Sequence, residues 1–114
     1  MSTRKRAERK MKRFWLSYDL GLRGDYSGLY QWLDGKDAKE CGDSIATFLS
    51  DRTQEEIEGQ IKETLGDDAP RARVYLIAPA GDGKFNGKFL IGRRKSSPPW
   101  AGFLETAVDT ALDQ

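Results

Sequence analysis

The chain has no histidine and a single cysteine among its 114 residues, so the chemistry open to it is narrow. Imidazole bases, Ser-His-Asp and Cys-His triads and imidazole metal sites are excluded. Cys41 alone forms neither an internal disulfide nor a thiolate zinc site. Carboxylates, lysines, arginines, tyrosines and hydroxyls remain. An enzyme built from these is expected to work through a carboxylate-bound hard cation.

Asp19 is the first candidate. It closes the segment Phe14-Trp15-Leu16-Ser17-Tyr18-Asp19-Leu20, just before Gly21 and Gly24. A carboxylate at the C-terminal end of a strand suits a magnesium ligand, with the metal polarising a phosphodiester and acidifying a bound water. It equally suits the cap of a turn, accepting N–H bonds from Gly21 or Leu22. Asp67-Asp68 has the look of a paired-carboxylate site, but it follows Gly66 and precedes Pro70, where aspartate is ordinary turn chemistry. Gly81-Asp82-Gly83-Lys84 lacks the spacing and the Ser/Thr of a phosphate loop and reads as a turn. Beyond it, Lys84, Lys88, Arg93, Arg94 and Lys95 are interleaved with Phe85 and Phe89. That pattern fits a track for a nucleic-acid backbone. It also fits two packed rings on an edge strand protected by charge. Cys41 reads as a small buried hydrophobe.

The net charge of +1 hides strong segregation. Residues 2–13 carry seven bases against one acid, a net of +6. Residues 19–68 carry 13 acids and five bases, a net of −8. Residues 71–95 return to +6, and the last stretch is −3. The first run, with Arg4, Lys5 and Arg6 at its head, reads either as a phosphate-binding arm or as a solubilising tail. Residues 1–12 are accordingly assigned to a basic, flexible N-terminal tail, and Met11 offers an alternative start.

The elements that must position these groups follow from periodicity. In residues 14–20, Phe14, Leu16, Tyr18 and Leu20 share one face of a strand; Trp15, Ser17 and Asp19 share the other. Tyr26, Leu29, Tyr30 and Leu33 form a helical stripe that Asp25 caps and Gly35 closes. Residues 39–49 are extended and are bent or divided at Gly42-Asp43, with Ile45, Thr47 and Leu49 on one face. Thr53 and Glu56 form a capping box ahead of Ile57, Ile61 and Leu65, and Gly66 stops that helix. In residues 71–78, Ala72, Val74, Leu76 and Ala78 point inward while Arg71, Arg73, Tyr75 and Ile77 point outward; Pro79 ends the strand. Residues 84–92 are extended, with Asn86-Gly87 as a tight turn. Residues 102–112 form a short C-terminal helix.

This order predicts an α+β, ferredoxin-like βαββαβ domain over residues 13–114. It has an antiparallel sheet with two helices on one face, an extra C-terminal strand and a short helix. The other sheet face carries Trp15, Tyr75 and Ile77, which suggests a second subunit covers it.

Several segments resemble a known family. Residues 14–20 followed by Gly24-Asp25-Tyr26-Ser27-Gly28-Leu29 are similar to the opening of the SinR-like family, a strand ending Ser-Tyr-Asp-Leu before an Asn/Asp-Tyr-x-x-Leu helix start. Residues 44–50, the helix beginning at Thr53 and residues 72–77 follow in the family's order. Pro99-Trp100-Ala101-Gly102-Phe103 resembles its closing Ala-Trp-x-Gly-Phe. The likeness spans residues 13–103. The family is similar in turn to the small subunit of the CRISPR spacer-acquisition integrase and to VapD-type toxins. The resemblance implies a ferredoxin-like homodimer, some members being magnesium-dependent nucleases. It also implies that the strand-end aspartates of the two copies hold one metal, with Asp19 as the matching position and Ser17 or Tyr18 nearby.

The expectation is therefore a homodimer that binds RNA or DNA, in its enzymatic form a magnesium-dependent nuclease with Asp19 as metal ligand and catalytic residue. The alternative is a non-catalytic adaptor or inhibitor that binds another protein, in phage defence, counter-defence or a toxin–antitoxin pair. No apolar run reaches the roughly 18 residues of a membrane span, and no apolar stretch follows the basic start as in a secretory signal. A cytoplasmic protein with no membrane partner is expected.

Overall fold

The computed structural model describes residues 10–22, 24–66 and 71–105. In chain order they form β1 (Lys12–Asp19), α1 (Tyr26–Gly35), β2 (Lys39–Gly42), β3 (Ile45–Ser50), α2 (Gln54–Leu65), β4 (Arg73–Gly81) and β5 (Lys84–Ile91). The protein is an α+β structure with one five-stranded sheet in the order β2-β3-β1-β4-β5. Every neighbouring pair of strands is antiparallel. Each helix thus follows one strand and returns the chain to the sheet at a non-adjacent position, leaving β1 in the middle.

Strict alternation in β1 decides the two faces of the sheet. Phe14, Leu16 and Tyr18 are buried, and so are Ala46 and Phe48 of β3 and Val74, Leu76 and Ala78 of β4. Over them lie Leu29 and Leu33 of α1 and Ile57, Ile61 and Leu65 of α2. Phe14 and Phe48 are stacked with ring centroids 5.4 Å apart, and Trp32 of α1 meets Phe48 edge-on at 5.2 Å. Trp32 Nε1–H donates to Gln60 Oε1 at 3.1 Å, which ties the two helices together on this side. Truncating a buried Phe to Ala costs roughly 3–5 kcal/mol, a large share of a small domain's stability, so this aromatic stack anchors the sheet to its helices.

The helix ends follow the sequence. Asp25 accepts the Gly28 N–H at the start of α1. Thr53 and Glu56 form the reciprocal capping box, Glu56 N–H donating to Thr53 Oγ1 and Thr53 N–H to Glu56 Oε1, both at 3.1 Å. Gly66 caps α2 with φ of 67°.

Four details differ from expectation. Pro79 does not end β4, which runs on to Gly81. The register with β1 covers only Arg73 to Ile77, so Pro79 lies beyond the central strand, where its missing N–H deserts no partner there. Asn86-Gly87 is not a turn but lies within β5. The hairpin turns instead at Asp82-Gly83, with φ of 54° and 74°, the doubly left-handed conformation that matches strand twist. Cys41 is exposed, not buried, because β2 is a four-residue edge strand whose side chains no helix covers. Lys12, placed in the tail by its charge, is already in the sheet opposite Ser50.

A helical turn opens at Phe103. Residues 106–112, expected to continue that helix, Asp67-Asp68, and Arg4, Lys5 and Arg6 lie outside the described residues. No helix among the described residues is long and apolar enough to cross a membrane.

Candidate nucleic-acid interface

The sheet face opposite the helices carries the odd-numbered residues of β1, β3 and β4 and, before the bulge that turns Ile91 toward the core, those of β5 up to Phe89. Register places them side by side. Trp15 lies between Thr47 and Ile77, Ser17 between Ile45 and Tyr75, and Asp19 opposite Arg73. Tyr75 in turn lies opposite Phe89. Their rings meet edge-on at 4.8 Å, and Trp15 meets Phe85 edge-on at 5.4 Å. The Arg94 guanidinium sits over the Phe89 ring, 5.6 Å from its centroid. Arg13, on the same face, donates from Nη1 to Thr47 Oγ1 at 3.0 Å.

Gly87 explains part of this arrangement. A Cβ there would strike the ring of Tyr75, so the absence of a side chain lets that ring lie across β5. The Asn-Gly pair is thus a packing feature of a strand.

Ser17, Asp19, Arg73, Tyr75, Phe89 and Arg94 line a groove of about 320 Å³. Beside it a second hollow of about 480 Å³ is lined by Arg71, Ala72, Arg73, Gly92 and Arg93. Arg73 belongs to both. Four arginines, Arg71, Arg73, Arg93 and Arg94, therefore line the two hollows at the start of β4, next to a stretch of partly exposed rings. Flat π surfaces beside a concentration of guanidinium groups attract stacked bases and phosphates.

The sequence-predicted residues divide between the two sides of the sheet. Asp19 and Arg94 line the groove and Arg93 the adjoining hollow. Lys84 opens β5 at the hairpin turn, and Lys95 is exposed in the segment after the strand. Lys88 does not join them. Opposite Leu76, it faces the helix side and pairs with Glu58 of α2, Nζ to Oε1 at 2.6 Å. Its partner is nearly buried, so this lysine serves packing between α2 and the sheet. Tyr18 is buried against the helices, away from Asp19, whereas Ser17 shares the groove. The residues that sequence reasoning passed over are Arg71, Arg73, Tyr75 and Trp15. Alternation places all four on the outward face, and for Trp15 and Tyr75 that exposure equally suits a surface covered by a second subunit.

Asp19 is held in place by its own turn, Oδ1 accepting the Gly21 N–H at 3.1 Å. Among the described residues no three carboxylate or thiol side chains are grouped to hold a metal. Asp19 shares its groove with two guanidiniums, which repel a cation. Magnesium is usually held by one or two carboxylates, with waters completing its shell, and Asp19 supplies one such carboxylate to the groove. Comparison of the chain with protein-family models, with curated proteins and with solved structures finds no match.

Proposed function

We propose that this is a nucleic-acid-binding protein whose single-stranded ligand lies across the outer face of the sheet. The observation that carries this reading is the pairing of partly exposed rings (Trp15 with Phe85, Tyr75 with Phe89) with Arg13, Arg73 and Arg94 on one sheet face. Bases stack on the rings, and the strand's phosphates run toward the cluster of Arg71, Arg73 and Arg93. The strand order β2-β3-β1-β4, with both helices on one side, supports reading the core as a ferredoxin-like βαββαβ unit extended by β5. An open four- or five-stranded sheet with outward aromatics is a recurrent platform for single-stranded RNA.

The test is a titration of labelled dodecamers of oligo(U) and oligo(dT) followed by fluorescence anisotropy at several salt concentrations. Binding is expected to weaken steeply with salt. Phe85→Ala, at an exposed ring, is expected to weaken it by about 1–3 kcal/mol, and Arg73→Ala to flatten the salt dependence. No binding at low salt, or binding indifferent to both substitutions, overturns the reading.

The hydrolase is a second reading, supported by Asp19 lying in the groove and by the resemblance to the SinR-like family. It adds a homodimer that brings two Asp19 carboxylates to one magnesium. Cleavage of RNA or DNA that disappears with chelator and in Asp19→Ala, together with a dimer by sedimentation, would establish it. A monomer that binds without cutting leaves the binding function alone.

A further inference from the structure

We infer that the groove formed by Ser17, Asp19, Arg73, Tyr75, Phe89 and Arg94 receives one unstacked guanine of the bound strand. The inference rests on the single-strand-binding reading and names the base that this part of the face selects. The groove's volume of about 320 Å³ lies at the lower end of the roughly 300–1,000 Å³ of small-ligand sites, suited to one base. It offers two flat surfaces, the ring of Tyr75 and the guanidinium plane of Arg94, already seated over Phe89. Both are surfaces on which a splayed-out base stacks.

The polar groups select among bases. An ionised carboxylate is acceptor-only, and the Gly21 N–H fixes Asp19 in position. Guanine is the one standard base whose Watson–Crick edge presents two adjacent donors, N1–H and the N2 amino group, which a carboxylate accepts together. Adenine and cytosine set a single amino group beside an acceptor nitrogen, and uracil flanks its one N–H with carbonyls. In each of these an acceptor would face the Asp19 oxygens unpaired. Guanine's remaining edge atom, O6, is an acceptor, and two donor-bearing residues line the groove with Asp19: Ser17, two residues earlier on the same face of β1, and Arg73, opposite Asp19 in the register. The donor–acceptor pattern of the groove is thus the complement of guanine.

The test uses the full chain and uridine octamers that carry one central guanosine, inosine or adenosine, titrated by anisotropy at one fixed salt concentration. The guanosine octamer is expected to bind roughly 5- to 10-fold tighter than the adenosine octamer, the lower part of what a bidentate base contact supplies. Inosine, which lacks the N2 amino group, falls between them. Asp19→Asn replaces one acceptor oxygen by a donor while still able to accept the Gly21 N–H. It is expected to abolish the guanosine preference, with its far-UV circular dichroism and melting confirming the fold. Equal affinities in the unsubstituted protein overturn the guanine site while leaving strand binding intact. A preference that survives in Asp19→Asn overturns the role given to that carboxylate. Failure to bind any of the octamers at low salt removes the underlying strand-binding function itself.

Discussion

Tyr18 and Asp19 are neighbours in the chain and face opposite sides of the sheet. The phenol of Tyr18 is held above its ordinary pKa of 10.0, first by burial and then by Tyr30, Tyr26 and Glu40. Its neutral form is favoured in the folded protein, so the unfolded chain ionises first. The stability it contributes is whole below about pH 10 and is lost as the pH rises through the higher folded-state value. Denaturant titrations between about pH 9 and pH 11 are expected to show a steeper loss for the unsubstituted protein than for Tyr18→Phe. Parallel losses would assign the alkaline titration to other groups. At this scale the sequence was informative. The capping role of Asp25, the box of Thr53 and Glu56, and the turn-capping reading of Asp19 each depend on residues within three positions of one another. Cys41 was misread because its exposure depends on which strand lies at the edge, which no local pattern reports.

The elements themselves were legible where a face is buried. Alternation in β1 and β4 and the stripes of α1 and α2 reflect a core on one side of each, and the inward residues are those expected. The β4–β5 hairpin was placed less well. Two Asx-Gly pairs compete for the turn, Asp82-Gly83 and Asn86-Gly87; the turn forms at Asp82-Gly83, and Gly87 lies within β5, where the Tyr75 ring leaves no room for a Cβ. Gly87→Ala is expected to cost roughly 1–3 kcal/mol by thermal or chemical denaturation, since the new methyl must displace that ring. In a Tyr75→Ala background the same substitution is expected to cost much less. An undiminished penalty there would show that the ring is not the cause.

For the molecule as a whole, the sheet separates two environments, an apolar one under the helices and an aromatic, arginine-rich one opposite. This division sorts the basic stretch after the hairpin. Arg93→Ala is expected to reduce the slope of log affinity against log salt by about 0.7, the amount lost with one phosphate contact on a single strand. Lys88→Ala is expected to leave that slope unchanged and to lower the melting temperature, because Glu58 loses its partner. Equal effects on the slope would place both side chains along the ligand. Asp19 and Arg94 could be picked out from sequence, but their meeting could not. Residues 17–19, 73–75 and 89–94 converge only through the strand order, a long-range property that periodicity within one segment does not encode.

The order of the strands also has a practical consequence. The sole thiol of the chain stands solvent-accessible on β2, at one margin of the sheet, while Phe89 and Arg94 belong to the other margin. Four interstrand spacings, about 19 Å, separate the two. A maleimide dye on Cys41 would therefore sit two spacings, about 10 Å, from the groove's β1 side and within energy-transfer range of an acceptor on the oligonucleotide, giving a ruler for the polarity with which a strand is laid down.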